Sequence, residues 1–388
     1  MKYTHRILFA VALVAAVSQS RAQEAATTTS ASSPVAYVYV TRPTHVDGFA
    51  GASNGKLTPI PGSPFSNMAL NHLSVTKNFL FGAGNDGVHL YSYSIASNGS
   101  LKQVASTDVT NYAPGAYGVG PTQLDTTGST LYNFSEFPGS DTYVQAYKIE
   151  GNGELEFVST VETDINFDAQ EVSPTMIRFI SNDKFAYETG CDQDALNPAT
   201  DGFKRAANGS LTFVSHDTNL PKPPNSGDQY CPAMLATDSS GHVAFVMDDW
   251  NVSQGQRVGP EVIATYTANS AGQLTTTSSY KNMPALKTSG GVYAMSISPS
   301  GKLLATSGYS KGFQVFHFNG ADPATAYTDV LLPGDPVLQF GWDDADHLYA
   351  LTPNALHVFN ATTTSVKEAE GSPYSIPEES SIIVLSPK

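Results

Sequence analysis

Basic residues are scarce in this chain: 20 lysines and arginines stand against 35 aspartates and glutamates in 388 residues, a net charge of −15. Nucleic acid is excluded as a partner, because binding in that class needs a basic stripe to neutralise phosphates and none is present. An anionic membrane surface is disfavoured for the same reason. Long hydrophobic runs are missing too. The apolar stretch at residues 7–17 falls far short of the ~20 residues that span a bilayer, and no cysteine follows it that could carry a lipid. No window of a dozen residues shows the period of an amphipathic helix. A G-x-S-x-G elbow, a P-loop and a dinucleotide fingerprint are all absent, so the usual hydrolase, kinase and dehydrogenase readings lack support.

What is present is a repeat. Seven strand-core dipeptides, Val38-Tyr39, Leu80-Phe81, Leu131-Tyr132, Ala186-Tyr187, Ala244-Phe245, Leu304-Ala305 and Leu348-Tyr349, recur at steps of 42, 51, 55, 58, 60 and 44 residues. That spacing fits one four-stranded blade per unit and predicts an all-β, seven-bladed β-propeller over residues 35–388. Alternation such as Val88, Leu90, Tyr91, Tyr93 and Ile95 is strand periodicity. A G-x-L turn recurs at Gly55, Gly99, Gly153, Gly209 and Gly272, where glycine supplies a left-handed turn and leucine opens the outer strand. The repeat starts at a second strand, AYVYVT. The segment SIIVLS at 381–386 has the missing first-strand pattern and is expected to pair with the N-terminal strand and close the ring, removing exposed sheet edges.

Residues 1–22 read as a secretory signal: Lys2 and Arg6, the apolar run, then a small-x-small site at Ser20-Arg21-Ala22. The mature protein is then secreted or periplasmic, with 17 basic and 35 acidic residues and a net charge of −18. Residues 23–34 hold no large apolar side chain and form a disordered lead-in. In an oxidising compartment the two cysteines, Cys191 and Cys231, are expected to form a disulfide. Five N-x-[ST] sequons, at Asn98, Asn133, Asn208, Asn251 and Asn360, read either as glycosylation sites or, for the two Asn-Gly-Ser copies, as turns that use Asn-Gly for its positive φ.

In a propeller the loops entering the innermost strands, and those joining second to third strands, gather on one face around the central channel, which is the default ligand site. The longest are expected in blades four and five, at 188–201, 217–232 and 247–260. They carry Glu188, Asp192, Asp228, Tyr230, Asp248, Asp249, Trp250 and Arg257, and the same face collects Arg42, His72 and Tyr112. Such an acidic, aromatic rim suits a sugar, a cation or a polar peptide, with Trp250 as a stacking indole; a solvated loop surface is the competing reading. Calcium is the metal that Asp192, Asp194 and Asp201 would favour, although their spacing does not match the twelve-residue calcium loop. No histidines pair at zinc-ligand spacing, and no cofactor is expected.

The motifs P-x-x-L-D-x-x-G-x-x-L-Y at 121–132, V-x-x-Y-x-I at 144–149, N-G-x-L at 54–57 and G-S-P-[FY] at 62–65 and 371–374 resemble the lactonase family of seven-bladed propellers, across essentially the whole mature chain. That family includes 6-phosphogluconolactonases and carboxymuconate cyclases, and the resemblance implies cofactor-free lactone chemistry by His, Arg and Glu around the channel. Carried over by position, the histidine falls on Gly120, the arginine on Thr175 and the glutamate on Cys191. Without them no bidentate anion anchor and no general base remains. The sequence therefore implies a monomeric binding or scaffold module for a small polar ligand, carbohydrate included, or for a protein. The alternative is a divergent lactone hydrolase or muconate-type cyclase using Arg42, His72, Glu188 or Asp248.

Overall fold

Every one of the seven dipeptides lies in the second strand of a four-stranded antiparallel sheet in the computed structural model, which describes residues 33–111, 119–136, 142–162, 177–180, 184–192, 197–217, 219–288, 291–308, 312–376 and 381–387. The expected signal at 1–22 and nearly all of the lead-in lie outside these residues. The second strands are Ala36–Thr41, Phe79–Gly84, Thr130–Glu136, Phe185–Asp192, His242–Asn251, Leu303–Gly308 and His347–Thr352. Tyr39, Phe81, Tyr132, Phe245 and Tyr349 are 0 % exposed. These strands are covered on both faces, so they read in the sequence as short apolar runs without alternation.

Seven hydrophobic clusters fill the spaces between neighbouring blades. Tyr39 packs with Leu80 between blades 1 and 2, Tyr187 with Phe245 between 4 and 5, and Val38 with Tyr349 between 1 and 7. The last of these closes the ring. Its first strand is the C-terminal segment Ile382–Leu385, which pairs antiparallel with Ala36–Thr41 through Val40↔Ile382 to Tyr37↔Leu385.

The recurring tyrosine and the recurring G-x-L turn are two ends of one inter-blade hydrogen bond. Tyr39 donates to the Gly99 carbonyl at 2.7 Å, Tyr132 to Gly209 at 2.7 Å and Tyr187 to Gly272 at 2.6 Å, each reaching from one blade into the next. These glycines have φ of +83, +94 and +87, and a Cβ on Gly272 would stand 2.5 Å from the Phe185 ring. Left-handed backbone and close approach both demand glycine there. The asparagines that precede Gly99 and Gly209 are not in the positive-φ region. Asn98 and Asn208 instead accept from the amide and hydroxyl of Ser100 and Ser210, an Asx turn that leaves the left-handed conformation to glycine alone.

The aspartate of the L-D-x-x-G motif closes the first turn of its blade. Asp125 accepts the Ser129 amide at 2.8 Å, and outside the motif, at the same turn of blades 5 and 7, Asp238 and Asp343 accept the amides of His242 and His347 at 2.9 Å each. Fourth strands are short in blades 1, 5, 6 and 7, and hydroxyls there take ladder donors of the third strand. Ser63 accepts from Gly48, Ser278 from Thr265, Thr328 from Val315 and Ser372 from Val358, at 2.9 to 3.0 Å. This accounts for the serine of G-S-P-[FY], because an unpaired buried amide is costly.

Blades 4 and 5 depart from the expected long loops. The segments carrying Glu188, Asp192, Asp228, Tyr230, Asp248, Asp249 and Trp250 are extensions of strands, namely Phe185–Asp192, Asn197–Arg205, Asp228–Thr237 and His242–Asn251. A further ribbon, Gln256–Arg257, pairs with Trp250 and Asn251.

Candidate functional site

The innermost strands wall the central channel, and polar side chains knit them together across five blades. Ile382 donates to Gln339 Oε1 at 2.7 Å, joining blades 7 and 1, and Leu73 donates to Ser381 Oγ at 3.4 Å, joining 1 and 2. Thr122 Oγ1 donates to the His72 carbonyl at 2.6 Å, and Arg178 Nη1 donates to Gln123 Oε1, carrying the belt through blades 3 and 4. Against this belt lies a cavity of about 540 Å³, lined on its polar side by Ser74, Thr122, Gln123, Arg178 and Gln339, and on its apolar side by Leu73, Phe179, Phe340 and Ile382. It reaches the first-to-second-strand turns at Thr76-Lys77 and Thr126–Gly128, on the face opposite to the expected loops. Burial brings the Arg178 guanidinium down to about 10, still charged at neutral pH, so the cavity presents this cation beside neutral hydrogen-bonding groups, with Lys77 and Asp125 also in its wall. Sequence reading missed Arg178. Its signal is an arginine inside the otherwise apolar strand Arg178–Ile180 and its approach, M-I-R-F-I.

None of the residues expected from sequence lines this cavity. His72 comes nearest in the chain. It occupies a bulge between Asn71 and Ser74 in the innermost strand of blade 2, with a φ of 47°. A bulge re-aims a side chain, and this one leaves the imidazole in contact with solvent while desolvation by the surrounding wall lowers its pKa. Arg42 is engaged by Asp47 at 3.2 Å within its own hairpin. Glu188 is 0 % exposed and faces Asp201, also 0 % exposed, across the strand pair, so neither meets solvent. Tyr112 lies outside the described residues, as do the side chains of Cys191 and Asp192, which fall opposite Pro198 and Asn197 in the strand register.

Blade 5 gathers the rest. Along the paired strands Tyr230 opposes Asp249, Cys231 opposes Asp248, and Trp250 opposes Arg257. Trp250 is 8 % exposed and packs on Cys231, which corrects its expected place on an open loop. The Arg257 guanidinium lies 5.7 Å from the indole centroid, 2.8 Å from Asp248 Oδ2 and 3.5 Å from Glu261 Oε1. Desolvation lifts Asp248 to about 6 despite the opposing pull of Arg257. Glu261 is raised by desolvation too, against the Gly291 amide that donates to it at 2.7 Å. Asp249 is raised by burial and then by Asp228, and Tyr230 by burial and then by Asp249. Asp228 itself accepts from Asn225 and Asn251 at 2.9 and 2.8 Å. Among the described residues no three His, Cys, Asp or Glu side chains converge as a metal site; Asp194 lies outside them.

Position 120 bears on the family's chemistry. A Cβ on Gly120 would stand 2.3 Å from the Phe134 carbonyl oxygen, which accepts the Gly120 amide at 2.9 Å. No histidine fits there without moving the neighbouring strand.

No family model matches this sequence, and no curated protein matches it. Solved structures do. A periplasmic gluconolactonase from Pseudomonas aeruginosa superposes with a TM-score of 0.65 at 14% identity, covering 91% of this chain and 100% of that one. A protein from Lactobacillus plantarum gives 0.65 at 15% identity over 91% and 99%. A candidate 6-phosphogluconolactonase from Bacteroides uniformis gives 0.64 at 13% over 90% and 99%. With its seven blades, its C-terminal closing strand and these superpositions, the chain has the fold of the lactonase-type seven-bladed propellers.

Proposed function

We propose that this chain is an exported propeller that binds a small polar ligand in its central channel. The observation that supports this most directly is the cavity of about 540 Å³ with Arg178, Gln123, Thr122, Ser74 and Gln339 in its wall, a volume and lining that suit a sugar-sized molecule. A carbohydrate or sugar acid satisfies these groups. Export is supported by the leader pattern at 1–22 and by the periplasmic setting named for one structural neighbour. A bridge between Cys191 and Cys231 belongs to the same proposal: the protein recovered from culture medium or periplasm is expected to begin near Gln23 and to gain two hydrogens in mass on reduction.

Screening lactones, sugars and calcium by thermal shift tests the binding reading. A ligand at a hundredfold excess over its Kd is expected to raise the Tm by about 3–4 °C, since native-state binding contributes about 2.7 kcal/mol at that ratio. Arg178→Gln should erase the rise for an anionic ligand. No shift with any compound, or an equal shift in the variant, overturns the channel assignment.

One observation favours a second reading. His72 holds a backbone conformation rare for a non-glycine residue while its ring meets solvent, and such strain concentrates at functional sites. In a divergent lactone hydrolase His72 would serve as the general base, and a turnover assay on the same lactones would show product that vanishes in His72→Ala. Glu188, without solvent access, has no direct part in either reading.

A further inference from the structure

The second-to-third-strand connection of blade 5 departs from a simple hairpin. Its residues 252–258 are exposed, yet the chain folds back so that Gln256–Arg257 pairs with the end of His242–Asn251. Gly259 permits this return, because a Cβ there would stand 2.4 Å from Asp249 Oδ2. The return delivers a single guanidinium to two carboxylates and an indole. Asp248 and Glu261 keep only 4% and 6% of their side-chain surface, whereas Arg257 keeps 40%. The receptor groups are therefore built into the space beside blade 6, and the cation that fills them sits at its surface.

Those groups have acceptor capacity to spare. Glu261 Oε1 takes the Gly291 amide and the Trp250 indole acts on Asp248, but Glu261 Oε2 is buried and accepts no hydrogen bond from any described residue. Among the described residues these two carboxylates share one cation, Arg257, in a chain whose overall charge is −15. Buried acceptors without donors are costly, and a guanidinium offers five N–H groups in a planar fork that matches carboxylates and stacks on an indole. A dedicated structural ion pair would be expected to satisfy both carboxylates and to shield its cation.

We infer that Asp248, Glu261 and Trp250 form a recognition site for a guanidinium-bearing ligand, and that Arg257 is a built-in occupant which such a ligand displaces. The site stands apart from the channel, since none of its residues lines that cavity, and it holds whether or not the channel binds a sugar. Displacement requires the incoming guanidinium to outcompete a tethered one, whose effective concentration is on the order of millimolar. Removing the tether should thus strengthen binding, the reverse of what deleting a surface arginine does to an ordinary ion-pair contact.

The probe is agmatine, followed by calorimetric titration and thermal shift. Arg257→Ala is expected to bind agmatine about tenfold or more tighter than the wild-type chain, by relief of that intramolecular competition. Adding Asp248→Asn to Arg257→Ala should abolish the gain. In the wild-type chain, which needs no substitution to be tested, millimolar agmatine should raise amide hydrogen exchange across 252–258 and leave the innermost strands unchanged. Presented on a short peptide, arginine should bind Arg257→Ala and citrulline should not. The inference fails if Arg257→Ala gains no affinity, if the double variant keeps the gain, if agmatine leaves exchange at 252–258 unaltered, or if citrulline binds as well as arginine.

Discussion

Ending the chain at Ile376 is expected to remove cooperative folding or to lower the Tm by about 7 °C or more. The lost segment contains the innermost strand of blade 1 and four consecutive apolar side chains, Ile382, Ile383, Val384 and Leu385, of which Ile382 is 1 % exposed. Full burial of one such side chain contributes about 1.5–3 kcal/mol, so four partly to fully buried ones amount to about 5 kcal/mol, comparable with the whole stability of many domains. Hydrogen bonds go with them: the four-residue pairing to Tyr37–Val40, the Thr41 amide to Ser381 O at 2.9 Å, and the Asp344 amide to Ser386 Oγ at 2.8 Å. Blade 7 loses a neighbour as well, since Val384 packs so closely on Gly341 that a Cβ there would approach it to 2.3 Å. The exposed edge Ala36–Thr41 would then template association. Size-exclusion chromatography and calorimetry against a control lacking only Lys388 decide the matter; a monomer with a Tm within about 2 °C of that control would rule out ring closure as a main source of stability.

Ring closure was legible in the sequence because its signal is local and apolar. SIIVLS is a first-strand pattern without a second strand after it, and AYVYVT is a second-strand pattern without a first before it. The tyrosine and G-x-L repeats were likewise visible, but their union in single hydrogen bonds across blades was not, because the partners lie 60 to 85 residues apart. Blades 4 and 5 were misread for a different reason. Their strands run on into Glu188–Asp192 and Asp248–Asn251, where acidic and polar residues and a glycine outnumber the apolar ones. Such residues are depleted in strands, and a ladder held by backbone pairing leaves no hydrophobic period to detect. Trp250 departs from the expected loop position for a related reason: it lies in a strand paired with Gln256–Arg257 and is buried.

The candidate sites were legible as a composition and illegible as a geometry. The acid and aromatic residues of blade 5 were named from sequence, and the structure brings Asp248, Trp250 and Arg257 together. Glu261, the second carboxylate on Arg257, went unnoticed, since a lone glutamate before the strand Val262–Ala268 carries no motif. Arg178 carries no motif of its own in the sequence, and the position that the resemblance assigns to an arginine is Thr175, three residues earlier. Gly120 shows the converse: the Phe134 carbonyl leaves no room for a Cβ at this position, a steric fact that no sequence pattern discloses.

Arg205→Met is expected to destabilise the fold by about 3–5 kcal/mol, because removing one member of a buried ion pair strands the other. Arg205 reaches from the third strand of blade 4 into the first turn of blade 3, where Nη2 meets Asp125 Oδ2 at 2.5 Å. The same nitrogen donates to Thr130 Oγ1 at 2.8 Å, and Nε donates to the Tyr132 hydroxyl at 3.0 Å. That hydroxyl is the one that donates to Gly209, so a single guanidinium ties the turn motif to the tyrosine staple. Asp125 has no exposed side-chain surface and Arg205 only 10%, which removes the solvent screening that makes surface pairs nearly worthless. The loss corresponds to a fall in Tm of about 4–7 °C for a chain of this length. Asp125→Asn alone should cost less, since its side-chain oxygen can still accept the Ser129 amide. Combined with Arg205→Met it should recover part of the deficit by removing the stranded charge. A double-mutant cycle measures this coupling directly. Additive losses would mean that the pair acts only by packing, whereas a recovery of about 1 kcal/mol or more assigns it the electrostatic role that its burial implies.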